Sequence, residues 1–208
     1  MESMSVTESD PHGCPDPLTR VARGLTEVFA PAVLAALLPL VIGVQAGRTA
    51  LTGLGWGLVA SGFSAVIPFA MIWYGVRRGQ LSDRHIGVRE QRTRPLALGL
   101  LSVLVGLVLL VLFEAPRELI ALVVALFVNG LAATVVNHFW KLSVHASVAA
   151  GSLVILVLGF GPLLLVTALV VAAVGWSRVR LGDHTPGQVL VGTVVGLVVT
   201  GLVFAPLR

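Results

Sequence analysis

Three polar stretches of the chain carry the side chains best suited to chemistry. They span residues 83–95, 141–145 and 177–188 and bring together several arginines, one lysine, a serine and two histidines. Guanidinium groups bind phosphate oxygens through paired N–H donors. Helix N-termini beginning near Ser143 and Gly187 would add backbone N–H groups and positive dipole ends. Together these groups predict a phosphate-binding site.

The two histidines suggest how such a site would act on a bound phosphoryl group. One imidazole would attack phosphorus and the other would protonate the departing oxygen, which is nucleophilic catalysis with general-acid assistance. This scheme requires no metal ion. The Asp-rich strings typical of metal-dependent prenyl-diphosphate enzymes, N-D-x-x-D and D-D-x-x-D, do not occur in the sequence. We therefore expect neither a metal nor another cofactor.

The composition places these groups in a membrane protein. Of the 208 residues, 56% are hydrophobic and 12% are Asp, Glu, Lys or Arg, and the mean hydropathy is +0.96. A soluble domain carries about 25% charged residues, so this chain lacks the charge to cover a surface that faces water. A disordered chain and a soluble nucleic-acid-binding protein are both disfavoured, despite the net charge of +4. The single cysteine, Cys14, excludes an intramolecular disulfide and a thiolate metal cage.

The distribution of apolar residues predicts an all-α fold with about seven membrane helices. Residues 1–24 are polar and are expected to form a disordered cytoplasmic tail, and residues 25–208 a single transmembrane domain. A helix needs about 20 apolar residues to cross the hydrocarbon, and the long runs lack the alternation of a membrane β-barrel. The expected segments are 28–46, one within 49–76, 96–113, 119–137, two within 142–177 that separate at 159–162, and 187–205.

Two of these segments contain pairs of glycines at a spacing of four residues. Gly53 and Gly57 lie in the second segment, and Gly192 and Gly196 lie in the last. Small residues at this spacing allow helix backbones to approach closely in a membrane. We expect both pairs to form helix-packing faces.

The basic residues predict the orientation of the bundle. With seven crossings, 11 of the 14 Lys and Arg residues fall on the side that holds the N-terminus. By the positive-inside rule this side is cytoplasmic. Two helices separate each polar stretch from the next, so all three stretches meet at this face. The expectation is a multi-pass protein of the cell membrane with its active site facing the cytoplasm.

The third polar stretch carries the most specific motif. Ser177 and Arg178 are followed after five residues by His184. This spacing resembles the S-R-x-x-x-x-x-H motif of the type 2 phosphatidic acid phosphatase superfamily of membrane phosphatases. The family pattern continues with x-x-x-D, and at that position this chain has Gln188.

The other two family motifs are matched in part. The P-S-G-H motif corresponds to residues 142–145, which keep the serine and the histidine. The K-x-x-x-x-x-x-R-P motif is matched at its end by Arg94 and Pro95, while Gly87 stands at the Lys position. The resemblance covers residues 83–190 in the family's motif order and implies a six-helix phosphatase core.

The resemblance also implies a role for each matching residue. His184 would be the nucleophile that forms a phosphohistidine, and His145 would be the general acid for the leaving alcohol. Gln188 replaces the Asp that orients the nucleophile, and an amide cannot neutralise an imidazolium. Asp183 or Asp83 would then supply the missing charge. The implied phosphate ligands are Arg94, Ser143 and Arg178, joined by Lys141 and by Arg89 or Arg92.

Structural interpretations of the same residues stay open. The arginines of residues 83–94 would set the topology and contact anionic headgroups. Lys141 would be an interfacial anchor, and Ser143 would cap a helix. His145 would form a hydrogen bond between helices.

Three functions are compatible with the sequence. The first is a metal-independent membrane phosphatase acting on a lipid phosphate or diphosphate, such as a polyprenyl phosphate, a phosphatidate or a glycolipid intermediate. The second is a protein that binds or translocates lipid phosphates without hydrolysis, which Gln188 favours. The third is another enzyme that processes prenyl diphosphates. In each case the expected partners are a membrane lipid phosphate and the bilayer rather than a nucleic acid, and the oligomeric state is not predicted.

Overall fold

The computed structural model describes residues 16–79 and 93–208, with side chains in the second range from residue 95 onward. All regular structure in these ranges is helical, which confirms the predicted all-α class. The helices are α1 (Pro17–Val28), α2 (Pro31–Ala46), α3 (Ala50–Ser61), a π-helical segment (Gly62–Val66), α4 (Ile67–Arg77), α5 (Thr93–Leu112), α6 (Arg117–Phe139), α7 (Val144–Phe160), a 3-10 segment (Pro162–Thr167), α8 (Ala168–Arg180) and α9 (Pro186–Leu207).

The described helices form a polytopic bundle. Five helical runs are long and apolar enough to cross a membrane, or six if the bent pair of α1 and α2 counts as one span. The five runs are α3 to α4, α5, α6, the 3-10 segment with α8, and α9. Helix α7 is apolar but has only 17 residues. The expected number of about seven crossings stays a prediction.

The bundle is built around α6, which contacts α2, α5, α7 and α9. Leu119 and Leu122 of α6 are fully buried, as are Ile42 of α2 and Phe204 of α9. Burial of each such side chain contributes about 1.5–3 kcal/mol when water is the reference. In a bilayer the lipid is itself apolar, so the association of the helices depends more on close packing than on removal of apolar surface from water.

Residues 17–24, expected to belong to a disordered tail, instead form most of α1. Pro17 occupies the first helical position, where its missing N–H costs nothing. The Asp16 carboxylate caps the helix by accepting from the backbone N–H groups of Leu18 at 2.7 Å and Thr19 at 3.2 Å. The prediction of a tail through residue 24 is therefore wrong for these eight residues.

The second predicted segment is one continuous helical run with a π-helical turn in its middle. Pro68 lies just after this turn and has no N–H to donate to a preceding carbonyl. A π-turn shifts the hydrogen-bond register by one residue at such a point. The Ser102 hydroxyl of α5 donates to the carbonyl of Phe63 at 2.8 Å, which satisfies an acceptor within the irregular turn.

The break predicted at residues 159–162 is confirmed. Helix α7 ends at Phe160, and Gly161 follows with a φ of 104°, which favours glycine. Pro162 then begins the 3-10 segment that leads into α8. The chain turns back here, so that the end of α8 returns to the level at which α7 began.

Both predicted glycine pairs lie at close helix contacts. A Cβ on Gly192 would overlap the carbonyl oxygen of Ser143, and one on Gly196 would overlap that of Ser147. The pair in α3 meets the backbone of α2 in the same way. Glycine is therefore required for α7 and α9 to pack backbone against backbone, which places the starts of both helices beside each other.

We expect Gly196→Ala to destabilise the protein by about 1–3 kcal/mol, the usual cost of overpacking. The added methyl group would force α7 and α9 apart at Ser147. Unfolding in mixed micelles with increasing SDS measures this loss. Gly201→Ala on the same helix is the matched control, because a Cβ there meets open space. Equal stability of the two variants would contradict the close contact.

Candidate functional site

A cavity of about 500 Å³ opens among the helices at the end of the bundle where α7 and α9 begin. Its volume is within the range of pockets that hold small-molecule ligands. Most of its wall is apolar and comes from α2, α4, α5 and α6. Its polar wall includes Glu27, Asn129, Asn137, His145, Arg178 and His184.

All three predicted polar stretches reach this cavity. Pro95 contributes from the first, His145 from the second, and Arg178 and His184 from the third. The predicted meeting of distant parts of the chain at one end of the bundle is thus observed for the described residues. Arg89 and Arg92 lie outside the described residues, and so does the side chain of Arg94.

His184 lies in the turn between α8 and α9, and Gln188 fixes the tautomer of its ring. The Oε1 atom of Gln188 is 3.2 Å from Nδ1 of His184 and also accepts from the backbone N–H of Thr185 at 3.1 Å. The second bond identifies Oε1 as the oxygen, because an amide NH2 cannot accept. Nδ1 of His184 must then carry the proton. Its Nε2 atom therefore keeps the free electron pair that a nucleophile needs.

The surroundings of His184 keep its ring neutral. The pKa of His184 is lowered to about 4, first by burial and then by the positive charges of Arg178 and Lys141, against the hydrogen bond that Nδ1 donates to Gln188 and the negative charge of Asp183. At neutral pH the imidazole is therefore unprotonated. This is the state in which Nε2 can attack an electrophile without first losing a proton.

Arg178 is held at the end of α8 by the turn that follows it. The side chain is buried, and its Nη2 atom pairs with Oδ2 of Asp183 at 3.0 Å. The carbonyl oxygen of Arg178 accepts from the backbone N–H groups of Asp183 at 3.1 Å and His184 at 3.2 Å. The same turn thus fixes a guanidinium and an imidazole beside each other on the cavity wall.

Two side chains lie near the His184 ring, where the resemblance implies a single Asp. Asp183 pairs with Arg178, whereas Gln188 contacts the His184 ring directly. Asp183 supplies negative charge near the ring without bonding to it. The other candidate carboxylate, Asp83, lies outside the described residues.

His145 lies in the first turn of α7, on the cavity wall, with 8% of its surface exposed. Ser143, immediately before α7, is fully buried and caps the helix by accepting from the N–H of Ala146 at 3.3 Å. The N–H of Ser143 donates to the carbonyl of Gln188 at 3.1 Å, which ties the start of α7 to the first turn of α9. Ser143 therefore supports the site from behind the wall rather than lining it.

Lys141 joins the second stretch to the third. Its exposed ammonium group donates to the carbonyl oxygen of Asp183 at 2.6 Å. The contact brings a second positive charge to the turn that holds His184. Lys141 therefore lies where it would attract an anionic headgroup, although it does not itself line the cavity.

Several polar residues of the wall were not identified from the sequence, among them Asn129 and Ser64. Asn129 is buried in the middle of α6, and its Oδ1 accepts from the Ser147 hydroxyl at 2.9 Å. Ser64 lies in the π-helical segment, and its Oγ is buried without a hydrogen-bond partner among the described residues. Both are isolated polar residues within apolar runs. Buried polar groups within membrane segments are functional candidates, which is the signal that would have revealed them.

The arrangement can bind an anion and attack it. The starts of α7 and α9 lie side by side, so their N-terminal dipoles and the Arg178 guanidinium act on the same region. One neutral imidazole with a free Nε2 and a second imidazole share the cavity wall. No protein-family model, no curated protein and no solved structure matches this chain.

Proposed function

We propose that this protein is a metal-independent membrane phosphatase that hydrolyses a lipid phosphate or diphosphate, similar in its chemistry to the type 2 phosphatidic acid phosphatases. The observation that supports this function most is the geometry of His184. Gln188 holds the ring with Nε2 unprotonated, and the ring shares a mostly apolar cavity with Arg178 and His145.

The reaction would proceed in two displacement steps. In the first, Nε2 of His184 attacks phosphorus, the bond from phosphorus to the lipid oxygen breaks, and His145 gives that oxygen a proton. In the second, His145 takes a proton from water, the water oxygen attacks phosphorus, the bond from phosphorus to Nε2 of His184 breaks, and inorganic phosphate leaves. Arg178 would bind the phosphoryl oxygens, over which negative charge is spread in both transition states.

The substrate would be a lipid, because the cavity walls beyond Arg178 and His184 are mostly apolar. Val33 of α2, Phe69 and Ile72 of α4, and Leu100 and Val103 of α5 give an apolar lining. A hydrocarbon chain would lie against these side chains while its phosphate contacts Arg178. The enzyme would work in the cell membrane, with this end of the bundle facing the cytoplasm as the basic residues predict.

A lipid-phosphate-binding protein without turnover is the second candidate. Gln188 favours it, because the amide contacts the ring but cannot stabilise an imidazolium by charge. Another prenyl-diphosphate enzyme has less support. Among residues 16–79 and 93–208, no group of three or more His, Cys, Asp or Glu side chains is placed to hold a metal ion.

Purified protein in nanodiscs, offered a panel of lipid phosphates with and without EDTA, distinguishes these functions. Phosphate release that survives EDTA is the result expected for the phosphatase. Saturable binding without release would support the binding protein. Release of diphosphate with a hydrocarbon product, dependent on Mg²⁺, would support a prenyl-diphosphate enzyme.

The titration of His184 gives a test that requires no substrate. We expect its carbethoxylation by diethyl pyrocarbonate, which modifies neutral imidazole, to have a midpoint near pH 4, because the pKa of His184 is lowered to about 4. The ring is neutral above that pH and protonated below it. Mass spectrometry of the peptide containing His184 measures the modification, with a free histidine peptide as the reference. A midpoint near 6.5, the ordinary value for a histidine side chain, would contradict the buried, positively charged surroundings of His184.

A further inference from the structure

Helix α1 has three separate faces. At about 100° per residue, Leu18, Val21, Leu25 and Val28 fall within one sector of about 80°. Ala22 and Thr26 fall in the neighbouring sector. Arg20, Arg23 and Glu27 lie on the remaining side of the helix.

One face of α1 is buried against α8. Ala22 and Thr26 are buried, and the hydroxyl of Thr26 is 3.1 Å from that of Ser177. Ser177 donates its own proton to the carbonyl of Val174 at 2.7 Å, so Thr26 is the donor in the bond between the two helices. This contact lies directly beside Arg178 of the candidate site.

A second contact holds the start of α1 at the end of α8. Arg180 pairs with Asp16 at 2.6 Å, at the opposite end of α1 from Thr26. The two contacts are ten residues apart on α1, about 15 Å, but only three residues apart on α8, about 4.5 Å. Both ends of α1 are therefore held at the last turn of α8, and α1 meets α2 at a bend of 46°.

The apolar face of α1 is not covered by the described bundle. Leu18, Val21 and Val28 are 55%, 54% and 60% exposed. On α2, which follows directly, Leu37 and Val41 are also exposed and lie outside the cavity wall. If α2 crosses the bilayer, its exposed side chains face lipid. Helix α1, which directly precedes α2, then lies close enough to contact the same leaflet.

We propose that α1 lies along the surface of the membrane, with Leu18, Val21, Leu25 and Val28 inserted at the acyl-chain boundary of an anionic leaflet. The arginines on the opposite side would remain among headgroups and water, which fits the behaviour of interfacial amphipathic helices. With charged residues at positions 20, 23 and 27, α1 itself does not cross the hydrocarbon. Because Glu27 lines the cavity, the surface helix also forms part of its wall at the membrane interface.

Spin labelling tests this placement without any need for turnover. Cys14 is the only cysteine, so the background is Cys14→Ser, with single labels introduced by Val21→Cys and Arg23→Cys. In nanodiscs of phosphatidylcholine and phosphatidylglycerol, we expect the ratio of oxygen to nickel-chelate accessibility to be severalfold higher at position 21 than at position 23. The difference is expected to shrink in discs without phosphatidylglycerol and in the R20Q variant.

Three results would overturn the inference. Similar ratios at positions 21 and 23 would mean that α1 does not lie at the interface. Low accessibility to both reagents at position 21 would mean that protein covers the apolar face, and dilution with unlabelled protein would show whether a second copy does so. Insensitivity to phosphatidylglycerol would contradict the anionic leaflet. None of these outcomes depends on whether the protein is a phosphatase.

Discussion

His184→Ala is expected to abolish the release of phosphate from lipid substrates, lowering turnover by about four orders of magnitude or more, as the loss of a nucleophile does in other enzymes. The variant removes Nε2, which the contact of Gln188 with Nδ1 leaves free. Binding is expected to persist, because Arg178 and the apolar wall are unchanged. Initial rates in nanodiscs, together with equilibrium binding of the same lipid, separate the two effects.

A covalent intermediate gives the same prediction a direct readout. Rapid acid-free quenching of the wild type with a labelled lipid phosphate should trap label on His184, and the alanine variant should carry none. His138→Ala is the matched control, because that histidine is exposed at the end of α6 and lies outside the cavity. Full activity in His184→Ala, or label on another residue, would remove His184 from the role of nucleophile.

Residue patterns were sufficient to predict the parts of the site that short-range spacing determines. The interval between Arg178 and His184 sets a single turn between two helices, and that turn places both side chains on one wall. Gly192 and Gly196 fix the approach of α9 to α7 for the same local reason. The convergence of the three stretches followed from the even number of helices between them.

Other features depend on contacts that no local pattern contains. Helix α1 is short and polar on one side, and its docking requires Ser177, 151 positions away from Thr26. The position of Asn129 in the wall depends on its hydrogen bond to Ser147 and on a cavity that forms only when several helices pack together. The sequence shows that Asp183 and Gln188 belong to one polar stretch. Only the folded turn shows that the Asp183 carboxylate pairs with Arg178 and that the Gln188 amide contacts His184.

Gln188→Glu is expected to raise turnover by about 10²-fold. Glutamate has the same shape as glutamine and can accept the same bonds from Thr185 and from Nδ1 of His184. It would place a negative charge beside the imidazolium that forms when Nε2 bonds to phosphorus. The comparable change from carboxylate to amide lowers kcat by about 10⁴ in a serine protease. The expected gain is smaller, because Asp183 already supplies part of the charge near the ring.

The substitution should leave the fold intact while changing the titration of His184. Thr185 and residue 188 form a capping box at the start of α9, where Glu is favoured and a negative charge suits the helix dipole. A carboxylate at Nδ1 favours the charged ring, so the pKa of His184 must rise from about 4, and the midpoint of diethyl pyrocarbonate modification must move to higher pH. Gln188→Leu keeps the approximate size of the side chain but has no hydrogen-bond acceptor. It should lower turnover, because the proton of His184 is then no longer held on Nδ1. If Gln188→Glu moves the midpoint upward but leaves the rate unchanged, no positive charge develops on His184 in the rate-limiting step, which contradicts the expected effect of a carboxylate at position 188.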